Sequence, residues 1–150
     1  PLEVKKGVQP QSLWQEVESF LSQGDVSIFR SAKSLGSILA KSKEWQSKSK
    51  ALMASDLHEL VKASKVRNFI ECVALVFRAS LEREETRGLN IRADYPYRDD
   101  IDWLKWVVMH RGPDGEVIVD RVPLPMYRYP VKPQKYSNLP VSIPSPESKK

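Results

Sequence analysis

The chain has 150 residues, with 24 Lys+Arg against 19 Asp+Glu for a formal charge of +5, and 41% apolar and 29% charged residues. That is the balance of one ordinary globular domain, or of one domain with a tail. Its single cysteine, Cys72, excludes an intramolecular disulfide and a Cys-based zinc site, and no apolar run approaches the roughly 20 residues of a membrane helix. No apolar segment follows Pro1–Lys6, so no signal peptide is expected, and the missing initiator Met suggests a chain processed or cut from something larger.

Nine of the eleven prolines lie after residue 95, which divides the chain into a helical first part and an extended second part. The first helix is expected from Pro10 to Gln23. Proline suits a first turn, where its missing N–H would be unpaired anyway, and Leu13, Trp14, Val17, Phe20 and Leu21 draw one apolar stripe. Gly24 is its expected stop. The second helix is expected over Ser31–Lys48, burying Ala32, Leu35, Leu39 and Trp45 and showing a Ser/Lys-rich outer face. The third is the most strongly patterned. Asp56 and Glu59 have capping-box spacing. Leu57, Leu60, Val61, Phe69, Ile70, Val73, Val76, Phe77 and Leu81 fill an apolar face, and neither Gly nor Pro interrupts 55–87. Ended by Gly88, such a helix would be roughly 45 Å long.

Asn90–Asp102, broken by Pro96, reads as an irregular loop. Trp103–His110 and Glu116–Val122 read as strands around the turn Arg111-Gly112-Pro113-Asp114-Gly115. Pro123, Pro125, Pro130 and Pro133 forbid a continuing central strand, and 134–150 read as a flexible polar tail. The expected fold is mainly α: a spectrin-repeat-like three-helix bundle over 1–88, an Arg/Asp loop and short antiparallel β-hairpin packed on it over 89–125, and an extended, largely flexible tail over 126–150.

Candidate chemistry is sparse. Cys72 falls on the apolar side of the third helix and reads as a small buried hydrophobe. His58, in a first helical turn, and His110, beside a turn, read as solvated. The six glycines never approach a dinucleotide or phosphate-loop spacing. Lys33, Lys41, Lys43, Lys48 and Lys50 could form a basic face toward nucleic acid, but they match no nucleic-acid motif and read as a solvated helix surface.

The densest segment is Arg83–Asp100, where Arg83, Arg87, Arg92 and Arg98 stand against Glu84, Glu85, Asp94, Asp99 and Asp100. Nearly balanced arginine and carboxylate at this density favours bidentate pairing. Two readings stay open: an internal knot, or arginines facing a partner or a bound anion. Arg87 and Arg92 are expected to fork internally onto Asp94, Asp99 or Asp100, and Arg98, beyond Pro96, to reach a partner.

Glu85-Thr86-Arg87-Gly88, then Asn90, Arg92, Asp94-Tyr95-Pro96 and Arg98-Asp99-Asp100 with Trp103-Leu104 resemble the C-terminal domain of succinate dehydrogenase/fumarate reductase flavoproteins. L-aspartate oxidase and adenylylsulfate reductase flavoproteins belong to the same group. The family pattern there is Glu-Ser-Arg-Gly-x-His-x-Arg-x-Asp-(Tyr/Phe)-Pro-x-Arg-Asp-Asp. Thr86 replaces the serine and keeps a hydroxyl, while Asn90 replaces the histidine and removes a titratable ring. Asp56–Leu60, Val66-Arg67-Asn68, Ile28-Phe29-Arg30, Val107–Met109 and Gly115–Val117 extend the likeness over about 12–125.

The resemblance implies an accessory domain of an FAD-dependent oxidoreductase. FAD would sit in a separate domain of the parent, and this chain would pack on that domain and help contact an iron–sulfur electron-transfer subunit. No catalytic, cofactor-binding or metal residue carries over. The residues implied as structural or interface-forming are Arg67, Glu85, Arg87, Gly88, Asn90, Arg92, Asp94, Arg98, Asp99 and Asp100. The location implied is cytoplasmic, or peripheral to an inner membrane through partner subunits, with no membrane insertion. The competing expectation is a freestanding basic helical module that binds a protein or nucleic acid.

Overall fold

A computed structural model describes residues 6–23, 26, 28–125 and 132–136. Helix α1 spans Pro10–Leu21, with proline in its first turn. Gly24, its expected stop, lies outside the described residues. Helix α2 spans Ala32–Ser49. Its N-cap is Ser31, whose hydroxyl accepts the Ser34 N–H at 3.2 Å while the Ser34 hydroxyl accepts the Ser31 N–H at 2.9 Å, which satisfies two of the donors a helix start leaves open. Helix α3 spans Leu57–Glu82. Asp56 caps it by accepting the Glu59 N–H at 2.8 Å, but the Glu59 carboxylate turns to Lys62, 2.9 Å away, in place of the reciprocal half of a capping box.

The three helices bury one core. Leu13 and Val17 come from α1, Leu35, Ile38 and Trp45 from α2, and Ala63, Val66, Ile70, Val73 and Phe77 from α3. Trp14 stacks on Phe69 with centroids 4.7 Å apart, and Phe20 meets Trp45 edge-on at 5.5 Å. The Trp45 indole N–H, fully buried, donates to Glu16 at 3.1 Å. The mainly helical character expected from the sequence is present, with four helices among the described residues.

Several expectations are corrected. Val76, Leu57 and Val61 are exposed, not core, because the buried stripe of α3 follows 63, 66, 70, 73, 77 and 80, and side chains a residue or two off that path turn outward. Cys72 is exposed for the same reason. In α2, Ala32 is exposed and Ile38 takes the buried place. Helix α3 has 26 residues, about 39 Å, and stops six residues before Gly88.

The rest wraps the C-terminal end of α3. Strand β1 (Phe29–Arg30) pairs in parallel with β2 (Ile91–Arg92). Strand β3 (Arg98–Asp99) leads into the one-turn helix α4 (Asp100–Trp103). Thus the segment expected as irregular contains two short strands and a helical turn. Strands β4 (Lys105–Arg111) and β5 (Val117–Pro123) form the expected antiparallel hairpin, in register Trp106↔Val122 and Met109↔Val119, with Gly115 at φ 82° in its turn. Strand β6 (Lys135–Tyr136) pairs antiparallel with β3, so this part of the expected flexible tail is docked. Positions 126–131 and 137–150 of that tail lie outside the described residues. Among the described residues no helix is long and apolar enough to cross a membrane.

Candidate functional site: an arginine–carboxylate knot

The last turn of a helix leaves carbonyls with no intrahelical partner. Here Arg92, 1% exposed, supplies it. Its Nη1 donates to the carbonyls of Ser80, Leu81 and Arg83 at 2.9, 3.1 and 2.8 Å. Its Nε and Nη2 fork onto Asp94 at 2.8 and 2.9 Å. Asp94 Oδ2 in turn accepts the Ala32 N–H, in the first turn of α2, at 2.8 Å. One ion pair therefore joins two helix ends, its cation at the negative C-terminus of α3 and its anion at the positive N-terminus of α2, the sign each end favours.

The second centre is Glu85, fully buried. Oε1 accepts from Arg83 Nη1 and from Arg87 Nε, the latter at 2.6 Å. Oε2 accepts from Arg87 Nη2 at 3.0 Å and from the Asp99 N–H at 2.8 Å. Arg87 Nη2 also reaches Asp100 Oδ1 at 2.6 Å, and Arg98 forks onto the same carboxylate at 2.9 and 3.3 Å. Arg83 further donates to the carbonyls of Trp103 and Lys105. Its guanidinium lies over the Trp103 ring, as does that of Arg121. The cluster so welds the segment after α3 to α4 and the start of β4. These bonds are why α3 ends early: Arg83 adopts an extended conformation at φ −85° and ψ 109°, which carries Glu85 into the cluster.

Backbone turns hold the register. Arg87 and Asn90 exchange both N–H···O bonds, at 3.1 and 3.0 Å. Gly88 supplies φ +57° at the first central position, as a hairpin turn of this pattern demands. Gly88 is therefore left-handed as a turn residue and not as the cap of α3. The Thr86 hydroxyl accepts the Arg92 N–H and donates to the Tyr95 carbonyl, both at 2.9 Å. Asn90 Nδ2 donates to the Glu85 carbonyl at 3.3 Å.

Of the residues singled out from the sequence, Glu85, Arg87, Gly88, Asn90, Arg92, Asp94, Arg98, Asp99 and Asp100 come together. Arg67 does not: it donates to the Ser49 carbonyl at the end of α2 and sits about 24 Å along α3 from Arg83. Arg98, expected to face a partner, makes its hydrogen bonds to Asp100. Sequence reasoning noted Arg30 within the likeness but did not place it at this site, where it donates to Ser80 Oγ at 3.2 Å and lies over the Phe77 ring. It missed Lys135, 2.8 Å from Asp99. Both lie far from the motif in the chain, and no spacing rule connects them to it.

Burial would raise the carboxyls of Asp94 and Asp100. Hydrogen bonds from Arg92, and from Arg98 and Arg87, outweigh it and hold both below the usual aspartate value. Asp99 is lowered likewise, burial being overcome by Lys135 and the backbone of α4. Arg87 is raised, its own burial offset by Glu85 and Asp100. With each carboxylate engaged by a guanidinium, an ammonium or a backbone N–H, the knot is built to hold backbone in place.

Among the described residues no three His, Cys, Asp or Glu are grouped to hold a metal ion. Nor does the glycine turn of the knot fit the pyrophosphate of FAD. The Gly88 turn closes on itself through the Arg87–Asn90 bonds, leaving those amides unable to meet a pyrophosphate.

The family model described as fumarate reductase flavoprotein C-term matches residues 15–137. The chain belongs to this family. The fumarate reductase flavoprotein subunit of Mycobacterium tuberculosis is 32% identical over 72 residues, covering 48% of this chain and 12% of that protein. That of Helicobacter pylori is 33% identical over 84 residues, covering 53% and 12%. The chain therefore spans about an eighth of the length of these relatives. Adenylylsulfate reductase from Archaeoglobus fulgidus shares the fold with a TM-score of 0.73 at 22% identity, over 80% of this chain and 20% of that one. Quinol fumarate reductase of E. coli does so with 0.72 at 18%, over 82% and 22%. The chain is thus a C-terminal domain of the fumarate reductase/succinate dehydrogenase flavoprotein family.

Proposed function

We propose that this domain is the accessory, non-catalytic part of an FAD-dependent oxidoreductase of the succinate dehydrogenase/fumarate reductase type. Residues 1–88 act as a three-helix bundle and 89–125 as a loop and hairpin held against it. The domain packs on the parent's FAD-binding domain and helps form the contact with an iron–sulfur subunit, in the cytoplasm or at an inner membrane through partner subunits. The observation that carries this reading is the family match over 15–137, which contains the whole arginine–carboxylate knot.

The knot's role in that setting is geometric. It sets how α2, α3, α4 and the hairpin meet, and so holds the outer surface in one shape for docking, which lowers the entropy lost on association. The test is to mix the purified chain with the flavin-binding part of its parent flavoprotein. The chain alone is expected to be colourless and, when mixed, to comigrate with the yellow partner in gel filtration. A flavin band that stays with the isolated chain through dialysis overturns the reading. So does failure to associate, combined with retardation of nucleic acid in a gel-shift assay.

A further inference from the structure

The edge of β3 is covered by a segment from the far end of the chain. Arg98 pairs with Tyr136 and Asp99 with Lys135, and the Asp100 N–H donates to the Gln134 carbonyl at 2.9 Å. Side chains read the same register. Lys135 Nζ lies 2.8 Å from Asp99 Oδ2 and 4.4 Å from the centroid of the Tyr97 ring. The Arg98 guanidinium lies 5.2 Å from the centroid of the Tyr136 ring. A slip of one residue would carry both side chains to the wrong face.

The two sides of this contact are built differently. The receiving side stands without the segment: Asp99 Oδ1 caps α4 through the N–H groups of Ile101 and Asp102 at 3.0 and 3.1 Å. Glu85 holds the Asp99 N–H from beneath, and Arg98 is forked on Asp100. The incoming side is exposed at every residue from 132 to 136. It is held by a two-residue ladder, one half-exposed ion pair and two cation–ring contacts, each a modest interaction.

We propose that the Arg98–Asp100 edge is a recognition site for an extended strand carrying a cation followed by an aromatic ring, and that residues 132–136 of this chain are its occupant, a displaceable strap laid on a preformed receptor. Another strand reaching this edge has to displace the strap and offer the same pair of side chains. This inference does not depend on the proposed function: it concerns a contact within the chain.

The test uses the whole chain and follows the Asp100 amide, whose acceptor Gln134 belongs to the strap. In Lys135→Glu, Asp100 is expected to exchange about tenfold faster, through local opening, and trypsin to cut after Arg98 sooner, while the Ile70 and Val73 amides keep their protection. Tyr136→Ala is expected to act in the same direction, Lys135→Arg to restore protection, and Lys132→Glu to change neither readout. A synthetic peptide of residues 131–138 added to Lys135→Glu is expected to restore protection of Asp100, and the same peptide with Glu at 135 is not. The proposal is overturned by an unchanged Asp100 amide in both Lys135→Glu and Tyr136→Ala. It is equally overturned if Ile70 loses protection in step with Asp100, or if the two peptides act alike.

Discussion

The helical core and the knot at the end of α3 hold the same chain by opposite means. In the core, Val66, Ile70, Val73 and Phe77 meet α1 and α2 through apolar volume, and no single partner is required. In the knot, Glu85, Arg92 and Asp100 are as deeply buried, yet each has named partners at hydrogen-bond distance. Apolar packing tolerates substitution of similar volume, whereas a buried charge that loses its partner leaves the other uncompensated. Both regions therefore contribute to stability, but only the knot requires one arrangement of loop, α4 and hairpin to keep its partners.

The largest effect expected is from Glu85→Ala, about 3–5 kcal/mol in denaturant melts, because the partly buried Arg83 and Arg87 guanidiniums lose their shared anion and the Asp99 N–H loses its acceptor. Phe77→Ala is expected to cost a similar amount, roughly 3–5 kcal/mol, through lost transfer energy and a cavity. Near-UV circular dichroism below the transition separates the two: Phe77→Ala keeps the native signal of Trp103, and Glu85→Ala loses part of it. Equal spectra would erase the distinction drawn between the regions.

Arg92→Lys is expected to cost about 2–3 kcal/mol, although the charge is kept. An ammonium cannot serve three carbonyls of α3 and fork onto Asp94 together. A cost within 0.5 kcal/mol, the range of an ordinary surface substitution, would mean that charge alone suffices there.

The carboxyls of Asp94, Asp99 and Asp100 titrate below their ordinary value in the folded chain. Their contribution is therefore complete above the unfolded aspartate value, about pH 4, and is lost as pH falls through the lowered folded values. Stability should decline below about pH 4, and Asp100→Asn should flatten that decline, whereas Phe77→Ala should leave its slope intact. The smallest effect is expected from Gly88→Ala, about 1 kcal/mol, because a Cβ disfavours φ +57° in a turn that otherwise has room for it.

How much of this was legible depends on the range of the interaction. Pro10, Ser31 and Asp56 mark helix starts with groups that act within four residues, and the Pro113–Gly115 turn likewise declares itself locally. The density of arginine and carboxylate over 83–100 left an internal knot and a partner-facing surface both open, and the order of its residues carried the family resemblance. It did not say that Glu85 would be the hub, or that Arg98 would turn to Asp100.

The sequence by itself determined where the long helices begin, which faces of them are apolar in outline, and where the hairpin turns. It did so because 3.6-residue periodicity and turn chemistry are local properties. Only the tertiary structure decided that α3 stops at Glu82, that Val76 and Cys72 face outward, and that Lys135 returns to Asp99 from 36 positions away. An ion pair carries no period, and its partner is chosen by which charges the packed helix ends bring within about 3 Å of each other.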